Sequence, residues 1–262
     1  MYIMGNNSQI LDCNFTYTQA YIGGAIYVEG NDAIIDNSLF RHNDGFNESK
    51  GGGSGGAIYV EGDNSTISNS DFAYGKVINY GGAISVWGAN ANITKNVFDN
   101  CTSTIFYGGA IFVNGANATI SLSNFTRCIA ENQFAQGGAI QVSGNGAKVL
   151  ECDFNNCFAY YGGIIYISGN SSFVSSSTFE HSAIFKPRGT DNDQSPQWGG
   201  AIYVSGENAT IFLSNFTDFT AEEFGGAIFV AGTNANISES CFLDCKVNNL
   251  HGGAIYITGR DT

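Results

Sequence analysis

The sequence predicts an all-β protein, a right-handed parallel β-helix (a solenoid) of about nine coils, and three observations carry that prediction. The string "GGAIYVEGNDAIIDNSLF" at 23–40 returns as "GGAIYVEGDNSTISNSDF" at 55–72 and as "GGAIFVNGANATISLSNF" at 108–125. Inside the string, apolar and variable positions alternate with a period of two. All variation in length falls outside it, between its Phe and the next pair of glycines.

Each element of the repeat has a physical reading. Glycine pairs begin at Gly23, Gly55, Gly81, Gly108, Gly137, Gly162, Gly199, Gly225 and Gly252, and a third Gly follows seven residues later, from Gly30 to Gly259. Ten residues after that Gly stands Phe40, Phe72, Phe98, Phe125, Phe154, Phe179, Phe216 or Phe242. From Gly5 to Gly259 the nine steps average about 28 residues. Ile26, Val28, Ile35 and Phe40 alternate with Tyr27, Glu29, Ile34 and Asp36, so the first set shares one strand face and the second the other. β-Branched residues and a Gly every seven or eight positions exclude a helix. Gly30 and its equivalents, followed by Asn or Asp, are expected to supply the positive φ of a tight corner. One such unit cannot bury its apolar face alone. Stacking like units pairs their backbones and closes the core, and parallel crossovers favour a right-handed coil. Leucine-rich and propeller repeats fit poorly, because Leu is scarce and no Trp-Asp or Gly-His signature recurs. The chain opens and closes partway through a unit. It reads as one β-helix segment over 1–262, excerpted from a longer repeat protein, with loop insertions at 41–54 and 180–198.

Composition limits the function. The 262 residues carry a formal net charge of −13, with only 13 % charged residues, 35 Gly and 2 Pro. An acidic chain lacks the basic stripe that tracks phosphates, so no nucleic-acid partner is expected. No apolar run is long enough to span a bilayer, so no membrane insertion is expected in this segment.

"GGAI" followed by Phe-x-x-Asn or Phe-x-x-Cys resembles the passenger repeats of the chlamydial polymorphic outer-membrane proteins. Phe40 to Asn43 matches the first form, while Phe98 to Cys101, Phe125 to Cys128, Phe154 to Cys157 and Phe242 to Cys245 match the second. The wording "NATISLSNFT" is closer still to the adhesin-like surface proteins of methanogenic archaea. The likeness covers the whole chain, although Thr18, Gly75, Ser182 and Phe219 depart from the motif. It implies a secreted, extracellular cell-surface β-helix with an adhesive role and no catalytic residues.

Several residues are candidates for function. Outward on the first strand run Tyr2, Tyr27, Tyr59, Phe112, Tyr166, Tyr203, Phe229 and Tyr256, broken by Ser85 and Gln141, with Trp87 two positions beyond the first break. This row suits either the stacking of sugar rings or cross-strand stabilisation of an exposed face. The second insertion holds Lys186, Arg188, Asp191 and Asp193, and unusual loops on a rigid scaffold are where binding groups concentrate. Seven cysteines are present, and Cys101, Cys128 and Cys157 share one repeat position, where they read as small apolar plugs rather than metal ligands. No metal or other cofactor is expected. His42, His181 and His251 stand at unrelated repeat positions. Asn-x-Ser/Thr occurs at Asn6, Asn14, Asn47, Asn64, Asn92, Asn100, Asn117, Asn124, Asn170, Asn208, Asn215 and Asn236, candidate glycosylation sites if the chain is secreted.

Together these features predict a non-enzymatic, adhesin-like stalk whose partners are glycans or a neighbouring cell surface, with end-to-end self-association at open strand edges. Two alternatives stand beside it. A polysaccharide lyase or glycoside hydrolase would need paired carboxylates on adjacent coils beside a groove, and the acids look scattered in the sequence. A surface filament or sheath subunit would need end-to-end stacking.

Overall fold

The computed structural model describes residues 1–46, 52–182 and 198–259. Every strand pairing in it is parallel, and the strands stack as a solenoid of about nine turns. Three long sheets run the length of the rod. The first has ten strands, from Tyr2–Ile3 to Ile255–Ile257; the second, nine, from Gln9–Leu11 to Asn236–Ser238; the third, nine, from Asn14–Thr16 to Cys241–Val247. A fourth, five-stranded sheet covers the lower coils from Gln19–Ala20 to Ile129–Ala130. Strands Leu39–Arg41 and Asp44–Gly45 run into the first expected insertion, and Thr178–Ser182 takes the start of the second.

Register is set by like residues meeting like. Ile26 pairs with Ile58, Ile35 with Ile67 and Phe40 with Phe72, one repeat apart. Ile26, Val28, Ile35 and Phe40 are all at most 1 % exposed and share one continuous core. Nine Phe rings, from Phe15 to Phe242, form a single column with centroids 4.7–5.0 Å apart and planes within 14° of parallel. The rung spacing of a parallel sheet, roughly 4.8 Å, imposes that distance.

The corners differ from the expectation for Gly30. Its φ is not positive. A Cβ there would lie 2.2 Å from the Gly5 carbonyl oxygen, so the position needs Gly for close approach between coils. The left-handed conformation falls two residues later, at Asp32, Asn64, Asn90, Asn117, Asn208 and Asn234, because Asn and Asp tolerate it through local side-chain hydrogen bonds. Those side chains form a ladder: Asn64 Nδ2 donates to Asp32 Oδ1 at 3.1 Å, and Asn90 Nδ2 to Asn64 Oδ1 at 3.0 Å.

A second polar column lies inside the corner between the second and third sheets. The Ser70 hydroxyl accepts the Ser38 amide at 3.0 Å, Asn96 Oδ1 accepts the Ser70 amide at 2.9 Å, and the Ser123 hydroxyl accepts the Asn96 amide at 3.0 Å. Each serine hydroxyl also donates to the carbonyl two residues before it, as Ser123 does to Ser121 at 2.7 Å. Amides that the bend takes out of the sheet ladders thereby stay paired.

Cys101, Cys128 and Cys157 are fully buried in the column that follows the third sheet. The Cys128 thiol beside it and then burial raise the Cys101 pKa, while burial and then Cys128 raise that of Cys157. Cys152, buried in the serine column, is pushed up to about 12 by burial. Neutral buried thiols are poor nucleophiles.

Candidate functional site

The outer face of the first sheet places the expected aromatic row in register, but not as an open platform. Tyr59, Phe112, Tyr203 and Phe229 are at most 9 % exposed. A second row packs over Phe112, Tyr203 and Phe229. The residue before each glycine pair is bridged to its equivalent on the next coil, giving Ile22 and Ser54 at the lower end and then Tyr80, Tyr107, Gln136, Tyr161, Trp198, Phe224 and His251. Tyr80 packs on Phe112 at 4.7 Å, Trp198 on Phe229 at 5.1 Å and Phe224 on Tyr256 at 4.5 Å. This corrects the reading of Tyr59, Phe112, Tyr203 and Phe229 as an exposed binding row: all four are buried, and Phe112, Tyr203 and Phe229 are the lower layer of a two-layer aromatic pack. Tyr27, Tyr166 and Tyr256 stay half-buried, and Trp87 is exposed. The signal for the second layer was in the sequence, as an aromatic directly before the glycine pair in "YGG", "WGG" and "FGG".

At the lower end of this face the tyrosines are tied to acids. Tyr2 donates to Glu29, and Tyr27 and Tyr59 donate to Glu61 at 2.7 and 3.3 Å. Burial, with Glu61 beside them, holds the Tyr27 and Tyr59 phenols well above their ordinary range, and burial takes Tyr203 up to about 12. Gln141 fills the upper break in the row. It is 2 % exposed, its amide nitrogen donates to Ser143 at 2.9 Å, and its carbonyl oxygen has no hydrogen-bond partner.

The third sheet carries what the sequence did not reveal. Asn124, Asp153 and Thr178 meet in register on adjacent coils, as do Thr126, Asn155 and Glu180. Above the buried rings of Phe125 and Phe154 these six side chains line a groove of about 180 Å³. Asp153 and Glu180 are diagonal neighbours. Two residues of strand rise and one rung separate their Cα atoms by about 8 Å. Asn155 Nδ2 donates to Glu180 Oε2 at 3.3 Å. At the adjoining corner His181 Nε2 lies 3.6 Å from Asp218 Oδ2. Asp153 and Glu180 are 27 positions apart in the chain, about one repeat plus two residues, so their meeting depends on the register of coils with different loop lengths.

A further cavity, of about 380 Å³, is lined by Asp44, Phe46, Lys76, Val77, Ile78 and Thr104 beside the fourth sheet. Burial raises the Asp44 pKa, against the opposing pull of Lys76. Among the described residues no group of three or more His, Cys, Asp or Glu is placed to hold a metal ion. No helix among them is long and apolar enough to cross a membrane. Lys186, Arg188, Asp191, Asp193 and Asn47 lie outside the described residues. Of the remaining sequons, Asn100 is half-buried, and Asn6, Asn14, Asn64, Asn92, Asn117, Asn124, Asn170, Asn208, Asn215 and Asn236 are exposed.

No family model and no curated protein matches the chain. Solved structures of DFA-IIIase from Arthrobacter chlorophenolicus A6 do. The complex with GF2 matches at 13 % identity and a TM-score of 0.46, covering 88 % of this chain and 68 % of that one. The form without its lid matches at 13 % identity and a TM-score of 0.42, covering 91 % and 75 %. Against the expectation of a non-enzymatic chain, the solved structures that match are of an enzyme. At this identity and these TM-scores the likeness transfers no substrate, reaction or residue.

Proposed function

We propose that this β-helix acts on a glycan lying across the flank of its third sheet, with Asp153 and Glu180 as the reacting carboxylates. One observation carries the reading: two acids on adjacent coils line a groove otherwise made of Asn and Thr side chains. Amide and hydroxyl groups suit sugar hydroxyls, which both donate and accept. The Cα atoms of the two acids lie about 8 Å apart on the same sheet face, so both side chains reach over one groove, as the paired carboxylates of glycoside hydrolysis must. Glu180, whose Oε2 accepts the Asn155 amide hydrogen bond as a carboxylate does, is assigned as the base that takes a proton from the attacking water. Asp153 is assigned as the acid that protonates the departing oxygen. The proton given and the proton taken balance, and the free enzyme is restored when they exchange through solvent. The test is release of reducing ends from a panel of neutral polysaccharides, with anomeric configuration followed by proton NMR. Wild-type activity that falls at least a hundredfold in both Asp153→Asn and Glu180→Gln supports the assignment. Activity unchanged by either substitution, or absent throughout the panel, rejects it.

A second reading has its own support. The exposed sequons and the charge-poor Asn, Ser and Thr exterior suit a glycosylated rod at a cell surface, anchoring an adhesive contact with glycans or a neighbouring cell. Weak sites repeated along such a rod gain avidity through multivalency. Peptide mapping of the protein from its native source, for glycans on Asn92, Asn124 and Asn215, tests that setting. Unmodified asparagines at all three would reject it.

A further inference from the structure

Between its ends the aromatic pack is largely closed, but it opens around Trp87. Trp87 and Phe106 are each 39 % exposed, and Ile105 is 43 % exposed. Tyr80 joins the two rings: its centroid lies 6.3 Å from Trp87 and 5.7 Å from Phe106. Trp87 also lies 5.6 Å from Phe112, and its indole nitrogen donates to Ser85 at 3.1 Å. Ser85 occupies the position where other coils carry a ring, and that gap seats the indole. The rings are therefore held before any ligand arrives, which removes much of the ordering cost of binding.

Charge selects the occupant. Trp87 stands at the repeat position filled by Glu29 and Glu61 on the two coils below and by Asn114 on the coil above. The acidic row of the face thus stops at this patch, and Trp87, Ile105, Phe106, Tyr80 and Ser85 bear no charge. A chain of net charge −13 repels polyanions, and the carboxylates that would hold a cation have given way to an indole. We propose that Trp87 and Phe106 form a stacking subsite for an uncharged glycan, the rings taking the apolar faces of successive sugars. The subsite shares its ligand chemistry with the reading of the acidic groove, but it lies on a different sheet and is tested apart from it.

The protein has two tryptophans, so Trp198→Phe leaves Trp87 as the sole indole reporter. In that background Trp87 emission is titrated with neutral β- and α-linked hexose oligomers and with oligogalacturonate. The expected result is a saturable change with at least one neutral oligomer. It should be weakened at least tenfold by Phe106→Ala and unchanged by Glu180→Gln, with circular dichroism showing the fold retained. Absence of a saturable change with every neutral oligomer, equal binding by Phe106→Ala, or binding of oligogalacturonate alone overturns the proposal. Loss of binding in Glu180→Gln with Phe106→Ala unaffected would assign the ligand to the groove instead, also overturning it.

Discussion

Phe125→Ala is the most direct test of the stacked core. Phe125 is 1 % exposed, and its ring lies 4.7 Å from Phe98 and 4.8 Å from Phe154, nearly parallel to both. Truncation removes a full aromatic side chain from the middle of a column whose rungs are held by sheet hydrogen bonds on three sides, so the gap cannot close by collapse. The expected loss is about 3–5 kcal/mol, the upper range for buried Phe truncation. In a chain of this size, at about 2 °C per kcal/mol, that corresponds to roughly 6–10 °C in melting temperature. Phe242 offers an internal control: it is only half-buried and stacks on Phe216 at 4.9 Å, so Phe242→Ala should cost less than half as much. Urea unfolding followed by Trp87 and Trp198, which lie on opposite sides of Phe125 in the chain, measures the loss and its spread along the rod. A loss below about 1 kcal/mol for Phe125→Ala, or an equal loss for both variants, would refute a tightly stacked core.

Three further outcomes follow from the columns beside the core. Ser123→Ala removes the hydroxyl that accepts the Asn96 amide and should cost about 1–3 kcal/mol in urea unfolding, whereas Lys148→Ala, on an exposed strand position, should be within about 0.5 kcal/mol of wild type. Hydrogen bonds from Ser68 and Asn69 hold the Asp36 carboxyl below its ordinary range; its stabilising effect is therefore present above the unfolded pKa and lost as pH falls through the folded one. Asp36→Asn should flatten the fall in denaturation midpoint below about pH 4, and an unchanged slope would contradict the assignment. In native thiol labelling Cys241, exposed on the third sheet, should react ahead of Cys101, Cys128, Cys152 and Cys157, which should label only on unfolding; rapid reaction of those four would place them wrongly.

The coil was legible because its grammar is local. Ile26, Val28, Ile35 and Phe40 alternate within one unit, and their equivalents repeat, so the inward face could be read from the string alone. What the sequence obscured depends on neighbours in space. Phe112 and Phe229 were rightly placed outside the first sheet, but Tyr80 and Trp198 pack over them, and these lie just before the glycine pair and escape a reading that starts at it. Gly30 was misassigned because a positive φ and a close approach both select Gly, and only the facing Gly5 carbonyl distinguishes them. The Asp153–Glu180 pair was hidden for a third reason: a diagonal across two coils has no fixed separation in a chain whose loops vary in length.

Apart from local turns, the backbone hydrogen bonds of each coil run to the coil directly below or directly above. Glu61 draws on Val28 and Trp87 on Val60, and the same step recurs to the end of the rod. Each interface is therefore nearly interchangeable with the next, Ile on Ile and Phe on Phe, whichever coils supply it. A gene encoding such a chain can duplicate or drop a whole unit and present the same two surfaces at the new junction. Reach becomes an inheritable variable that changes by about 5 Å per unit, while the fold of the remaining coils is left as it was.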